Sequence, residues 1–205
     1  MAPEMKDGKA IQERVEENTG STDRKFRNRK MARILILYSS TDGHTVRICN
    51  RLQLVIEQQA HQVTLVSVKD VPQVDLRPFD KIVIGASIRY GRHSPLIVDF
   101  IRSNVQLLDG KSSAFFSVNI VARKAEKNRP DTNPYMRKFL KQVSWRPGEL
   151  AVFAGKIDYP RYGFFDRTAI RLIMLMTKGP TDPKAVVEFT DWQEVEAFGR
   201  LISEM

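Results

Sequence analysis

The chain has 205 residues, 42% of them hydrophobic and 28% charged, which suits one globular domain with a sizeable core. Its formal net charge is +9, and Cys49 is its single cysteine. An internal disulfide and a cysteine-rich metal site are therefore excluded. A basic balance points to an acidic partner: nucleic acid, an anionic membrane surface or a carboxylate-bearing substrate. No stretch approaches the ~18–20 consecutive apolar residues of a membrane span, and no signal-peptide apolar region opens the chain. No nucleic-acid module or internal repeat is visible either.

In chain order, residues 1–30 are polar, charged and nearly free of large apolar side chains, the composition of a disordered tail. The folded domain is expected over 31–205. It opens with Arg33 to Thr45, RILILYSSTDGHT. The apolar half, Ile34 to Tyr38, has the pattern of a strand buried on both faces of a parallel sheet. The second half is small, hydroxylated and turn-prone. It feeds a helical pattern over Val46 to Glu57, whose apolar face includes Cys49 as a small buried hydrophobe. A hydroxyl-rich loop at a helix start is an anion site, because free backbone N–H groups and the helix dipole both favour negative charge. The local pattern is equally that of a plain turn in which Thr41 or Asp42 caps the helix. The P-loop lysine and the G-x-G-x-x-G of a dinucleotide fold are both missing.

Further strands are expected over His61–Val68, Lys81–Ala86, Ser112–Val118 and Leu150–Ala154. One helix is expected from Ser94-Pro95, a cap followed by proline at the first helical position, to Asp109-Gly110. A closing helix is expected over Trp192–Ile202, capped at Thr190 or Asp191. Five apolar strands alternating with helices make an α/β, doubly wound, five-stranded parallel sheet. Ligands bind such sheets beyond the carboxyl ends of the strands, where loops 39–45, 86–93 and 119–124 should meet. The third loop runs on to about Pro134, long for its kind and basic, and is expected to be a loop insertion. His93 is expected to be solvated, with a proton relay the sharper alternative. The stretch Asp158 to Lys178 interleaves aromatics with arginines and then turns apolar. It has three readings: a buried helix, the wall of an adaptable pocket, or a helix docked on an anionic bilayer.

The run Y-S-S-T-D-G-H-T resembles the phosphate loop of flavodoxins. The strings VIGASIRYG, SVNIVARK, SWRPGE, YPRYGFFDR and TDW are similar to the flavodoxin-fold, quinone-dependent protoporphyrinogen IX dehydrogenases of bacterial haem biosynthesis. That resemblance runs from about Arg33 to Phe198. It implies a flavodoxin-like domain that binds FMN, oxidises protoporphyrinogen IX and passes electrons to a membrane quinone, menaquinone or ubiquinone. It implies a peripheral position on the cytoplasmic face of the inner membrane, with homo-oligomers compatible and no nucleic-acid partner. It assigns Ser40, Thr41, Asp42, Gly43, His44 and Thr45 to the phosphate, with Asp42 shaping the loop. Ala86, Ser87, Ile88, Arg89, Tyr90, Gly91, Asn119, Val121 and Ala122 are assigned to the flavin ring, with Tyr90 the stacking candidate. The substrate's two propionates suggest Arg92, Arg123, Lys124 and also Arg89 as partners. No side chain is marked out as proton acceptor. An NAD(P)H:quinone reductase and a non-enzymatic electron carrier remain alternatives on the same fold.

Overall fold

The computed structural model describes residues 30–70 and 74–205. The expected tail lies outside the described residues except for Lys30. The five expected strands are present: β1 Arg33–Ser39, β2 Gln62–Ser67, β3 Lys81–Ser87, β4 Ser112–Asn119 and β5 Glu149–Ala154. They form one all-parallel sheet in the order β2-β1-β3-β4-β5. The reversal of strand order lies between β1 and β3, so the crevice opens at their carboxyl ends.

Strand side chains alternate between two cores. Leu35, Leu37, Ile82, Ile84 and Phe115 pack on one face with α2 (Pro95–Asp109) and α3 (Pro134–Gln142). Ile34, Ile36, Val83 and Phe116 pack on the other with α1 (His44–Glu57) and α5 (Trp192–Glu204). Burial of each such side chain contributes roughly 1.5–3 kcal/mol. Gly85 in the central strand permits a close approach here: a Cβ at this position would lie 2.1 Å from the Phe116 ring.

Lys81, at the start of β3, donates from Nζ to the carbonyls of Ile202 and Ser203, both at 3.0 Å. His61 accepts from the Ala32 amide at Nδ1 and therefore donates from Nε2 to Ser203 O. The last turn of α5 is thus joined to the amino edge of the sheet.

Several features depart from the expectations. α3 was not anticipated. Asn133 caps it by accepting from the Tyr135 and Met136 amides, with Pro134 in the first helical position. The basic connection from β4, expected as a loop insertion, contains two short 3-10 turns, Ile120–Arg123 and Ala125–Lys127. A two-stranded antiparallel ribbon, β6 Lys156–Asp158 with β7 Val186–Glu188, was also unforeseen. Between its strands runs α4, Phe164–Met176. Of that helix only Met174 is buried, while Phe164, Phe165, Leu172, Ile173, Leu175 and Met176 are exposed. The buried-helix reading of 158–178 is therefore wrong: the helix rests on a small satellite core of Ile157, Tyr159 and Tyr162. Among the described residues no helix is long and apolar enough to cross a membrane.

Candidate functional site

Gly43 takes the N-cap position of α1 in a left-handed conformation, φ 82°. A side chain there would be strained, which explains the glycine. Neither Thr41 nor Asp42 caps the helix; no side chain does. The first amide of the turn to reach back to a carbonyl is Arg47, on Gly43 O. The Ser40 hydroxyl accepts from the Gly43 amide at 3.1 Å. The amides of the first turn ahead of Arg47 are left as donors for an anion.

These donors open on a cavity of about 210 Å³ walled by the ends of β1, β3 and β4, the ribbon and α4. Of the residues assigned to the flavin, Ser40, Thr41, Asp42, His44, Thr45, Ser87, Ile88, Arg89, Tyr90, Gly91, Asn119 and Val121 line it. Gly43 acts through its backbone turn. Ala86 and Ala122 are buried and do not line it. Tyr135 is a cavity wall that no sequence feature marked. Tyr162, Asp166, Ala169, Ile170 and Ile173 also line the cavity, in keeping with the pocket-wall reading of 158–178.

Arg89 donates to Asp42 Oδ2 at 3.1 Å and to Asp166. Tyr90 has φ 49° and is 75% exposed. It donates its hydroxyl to Asp166 Oδ1 at 2.7 Å, while the Arg89 guanidinium lies 5.2 Å from its ring. Asp166, in the first turn of α4, therefore ties that helix to the β3 loop, and Asp42 ties the 40–45 loop to the same arginine. Arg89 is paired with two carboxylates, which leaves its charge less available to a propionate. Arg123 donates to Ile120 O, Thr177 O and Thr177 Oγ1. It fastens the C-terminal end of α4 and is likewise not presented to a substrate. Lys124 does not line this cavity. Arg92 lines a neighbouring cavity.

Asn119 accepts at Oδ1 from the Ala122 amide and from Asn133 Nδ2, and donates from Nδ2 to Ser117 Oγ. Its amide shapes the third loop. His93 is buried, with Nε2 2.9 Å from Ser117 Oγ and its ring edge-on to Phe115 and Phe139. Burial lowers its pKa to about 4. It is not solvated but packs as a core residue, and burial disfavours its charged form. His44 is placed by α5's entry. Thr190 donates its hydroxyl proton to Ala154 O, so His44 Nε2 must be the donor to Thr190 Oγ1 at 2.6 Å. Its Nδ1 is buried without a protein partner, and burial lowers its pKa against the opposite pull of Glu188.

The Flavodoxin domain model matches residues 35–184. The protoporphyrinogen IX dehydrogenase (quinone) of Escherichia coli strain K12 is 42% identical over 83% of this chain and 94% of that protein. The chain belongs to this flavodoxin-domain family. The protein of the same designation from Leishmania major is 45% identical over 80% of this chain and 71% of its own. In fold, the chain is similar to oxidised flavodoxin 1 from Bacillus cereus, with a TM-score of 0.50 at 15% identity, covering 84% of this chain and 98% of that one.

The residues present suit a flavin phosphate. Uncapped amides, the left-handed Gly43 and the hydroxyls of Ser40 and Thr45 supply neutral donors without a basic side chain. The adjoining cavity has walls of tyrosine and aliphatic side chains suited to a planar ring.

Proposed function

We propose that the chain oxidises protoporphyrinogen IX to protoporphyrin IX with FMN and passes the electrons to a quinone at a membrane surface. The oxidoreductase class and the flavin follow from family membership. The observation that supports the rest is the position of α4. Ala169, Ile170 and Ile173 wall the cavity, while Phe164, Phe165, Leu172, Leu175 and Met176 of the same helix are exposed. One element thus borders both the redox cavity and an apolar surface, which a bilayer-dissolved quinone requires. Arg161, Arg171 and Lys178 accompany that surface, as expected of a helix on an anionic interface.

Bound flavin would supply the two-electron chemistry between macrocycle and quinone. The chain's own residues do the rest. The amides of the 40–45 loop hold the phosphate, and Thr45, 1% exposed, is fixed there by burial. Tyr90, Tyr135 and Tyr162 bound the ring space. α4 keeps water from that side. Asp42 and Asp166, the two carboxylates of the cavity, are both paired with Arg89, so neither stands free to take a proton.

Anaerobic turnover tests this reading. Porphyrin fluorescence is expected to rise only when protoporphyrinogen, a menaquinone or ubiquinone analogue and FMN-loaded protein are all present. Loss of the quinone requirement, or rapid bleaching of the flavin by NADPH, would overturn it.

A further inference from the structure

A second cavity of about 220 Å³ lies on the other side of the Arg89–Tyr90 turn and shares Ser40, Thr41 and Ser87 with the first. Its chemistry is one-sided. Arg89, engaged elsewhere, borders it and no carboxylate does; Lys69 and Arg92, both exposed, line it. Among the described residues neither has an ion-pair partner. Ser39 also lines it. That residue is 4% exposed, and its hydroxyl is buried with no hydrogen-bond partner, a costly arrangement unless a ligand answers it. Tyr90, His93 and the start of α2, through Ser94 and Pro95, complete the wall. Ser94 makes no side-chain cap bond, so the positive end of a 15-residue helix is left without a capping side chain at the cavity.

We propose that this cavity is an oxyanion subsite that receives a propionate carboxylate of the tetrapyrrole while its macrocycle lies over the flavin held in the adjoining cavity. The assignment rests on the substrate proposed above. Two cations without an ion-pair partner among the described residues, a buried hydroxyl and a helix N-terminus converge on one anionic group. The common walls put the carboxylate beside the ring site. The propionate partners are therefore Lys69, Arg92 and Ser39, and not Arg89 or Arg123, whose guanidinium groups are already engaged.

The test compares protoporphyrin IX with its uncharged dimethyl ester, titrated into FMN-loaded protein and followed by porphyrin fluorescence. Wild type is expected to bind the free acid more tightly than the ester. The double variant Lys69→Gln/Arg92→Gln should weaken the free acid about ten-fold, leave the ester unchanged and leave FMN affinity unchanged. Ser39→Ala should weaken the free acid about three-fold without lowering the thermal midpoint, since it removes a hydroxyl that has no protein partner. Equal binding of acid and ester, or variants that bind the acid as wild type does, would overturn the subsite and leave the dehydrogenase reading standing. A wild type that holds FMN but binds neither porphyrin would overturn both. A final arm titrates inorganic phosphate. Thermal protection that is lost in the double variant, without any preference for acid over ester, would make this a free-phosphate site and overturn the carboxylate assignment.

Discussion

Asp166 links three parts of the site: α4 through its own backbone, the β3 loop through Tyr90, and the 40–45 loop through Arg89 and Asp42. Asp166→Ala is expected to reduce quinone-coupled turnover about ten-fold, because a charge-assisted pair with a partly buried arginine is removed. The thermal midpoint should move little, and FMN affinity only slightly; steady-state kinetics and flavin titration check this. At Gly85, alanine would meet the Phe116 ring. Overpacking of this kind costs about 1–3 kcal/mol, and urea unfolding of Gly85→Ala should read that loss. His93 gives a pH signature. Its folded pKa of about 4 lies below its ordinary value of 6.5, so the unfolded chain binds the proton more readily. Its contribution to stability is then complete above pH 6.5. It is lost as pH falls from 6.5 toward 4, by about 3 kcal/mol in all. Urea unfolding of His93→Gln should show a flatter dependence across that window.

Among the elements, α4 carries the clearest prediction. Replacing Phe164 and Phe165, 77% and 86% exposed, with serine removes no core contact. The double variant should keep its flavin and its turnover with a short-chain soluble quinone. It should lose most turnover with a long-chain quinone embedded in vesicles, as measured side by side. The sheet was legible in the sequence because parallel strands buried on both faces read as unbroken apolar runs, and the parallel order then dictates which loops meet. The position of the 40–45 loop followed from β1, but its reading as a phosphate loop rested on the flavodoxin resemblance, since the local pattern equally allowed a plain turn. What escaped depends on distant partners. A sequence shows Arg89 and Arg123 as basic, but their acceptors Asp166 and Thr177 lie 77 and 54 positions away. Isolation of His93 from water required Phe139 of the unforeseen α3. α4 was ambiguous because an apolar helix has the same sequence signature whether it faces a core or a bilayer. Short β6 and β7 have no periodicity long enough to detect.

At the scale of the whole molecule, the net charge of +9 and the exposed face of α4 act on a membrane in different ways. Between 0.1 and 1 M salt the Debye length falls from about 10 Å to about 3 Å, which removes long-range attraction but leaves apolar insertion intact. Flotation with anionic vesicles should therefore show wild-type binding that salt weakens without abolishing. Binding of the Phe164→Ser/Phe165→Ser variant should be fully reversed by salt. Wild-type protein that stays unbound at low salt would remove the membrane from the proposed function.

The stitching of α5 to β3 has a consequence for biosynthesis. Lys81 stands in the middle strand of the sheet, and two of its acceptors, the carbonyls of Ile202 and Ser203, lie 121 and 122 positions further along the chain. That tie forms only after the later segment has been made, so the nascent sheet emerges without it. A chain trimmed after Gly199 should be made at normal rates yet be degraded by proteases that the full-length chain resists.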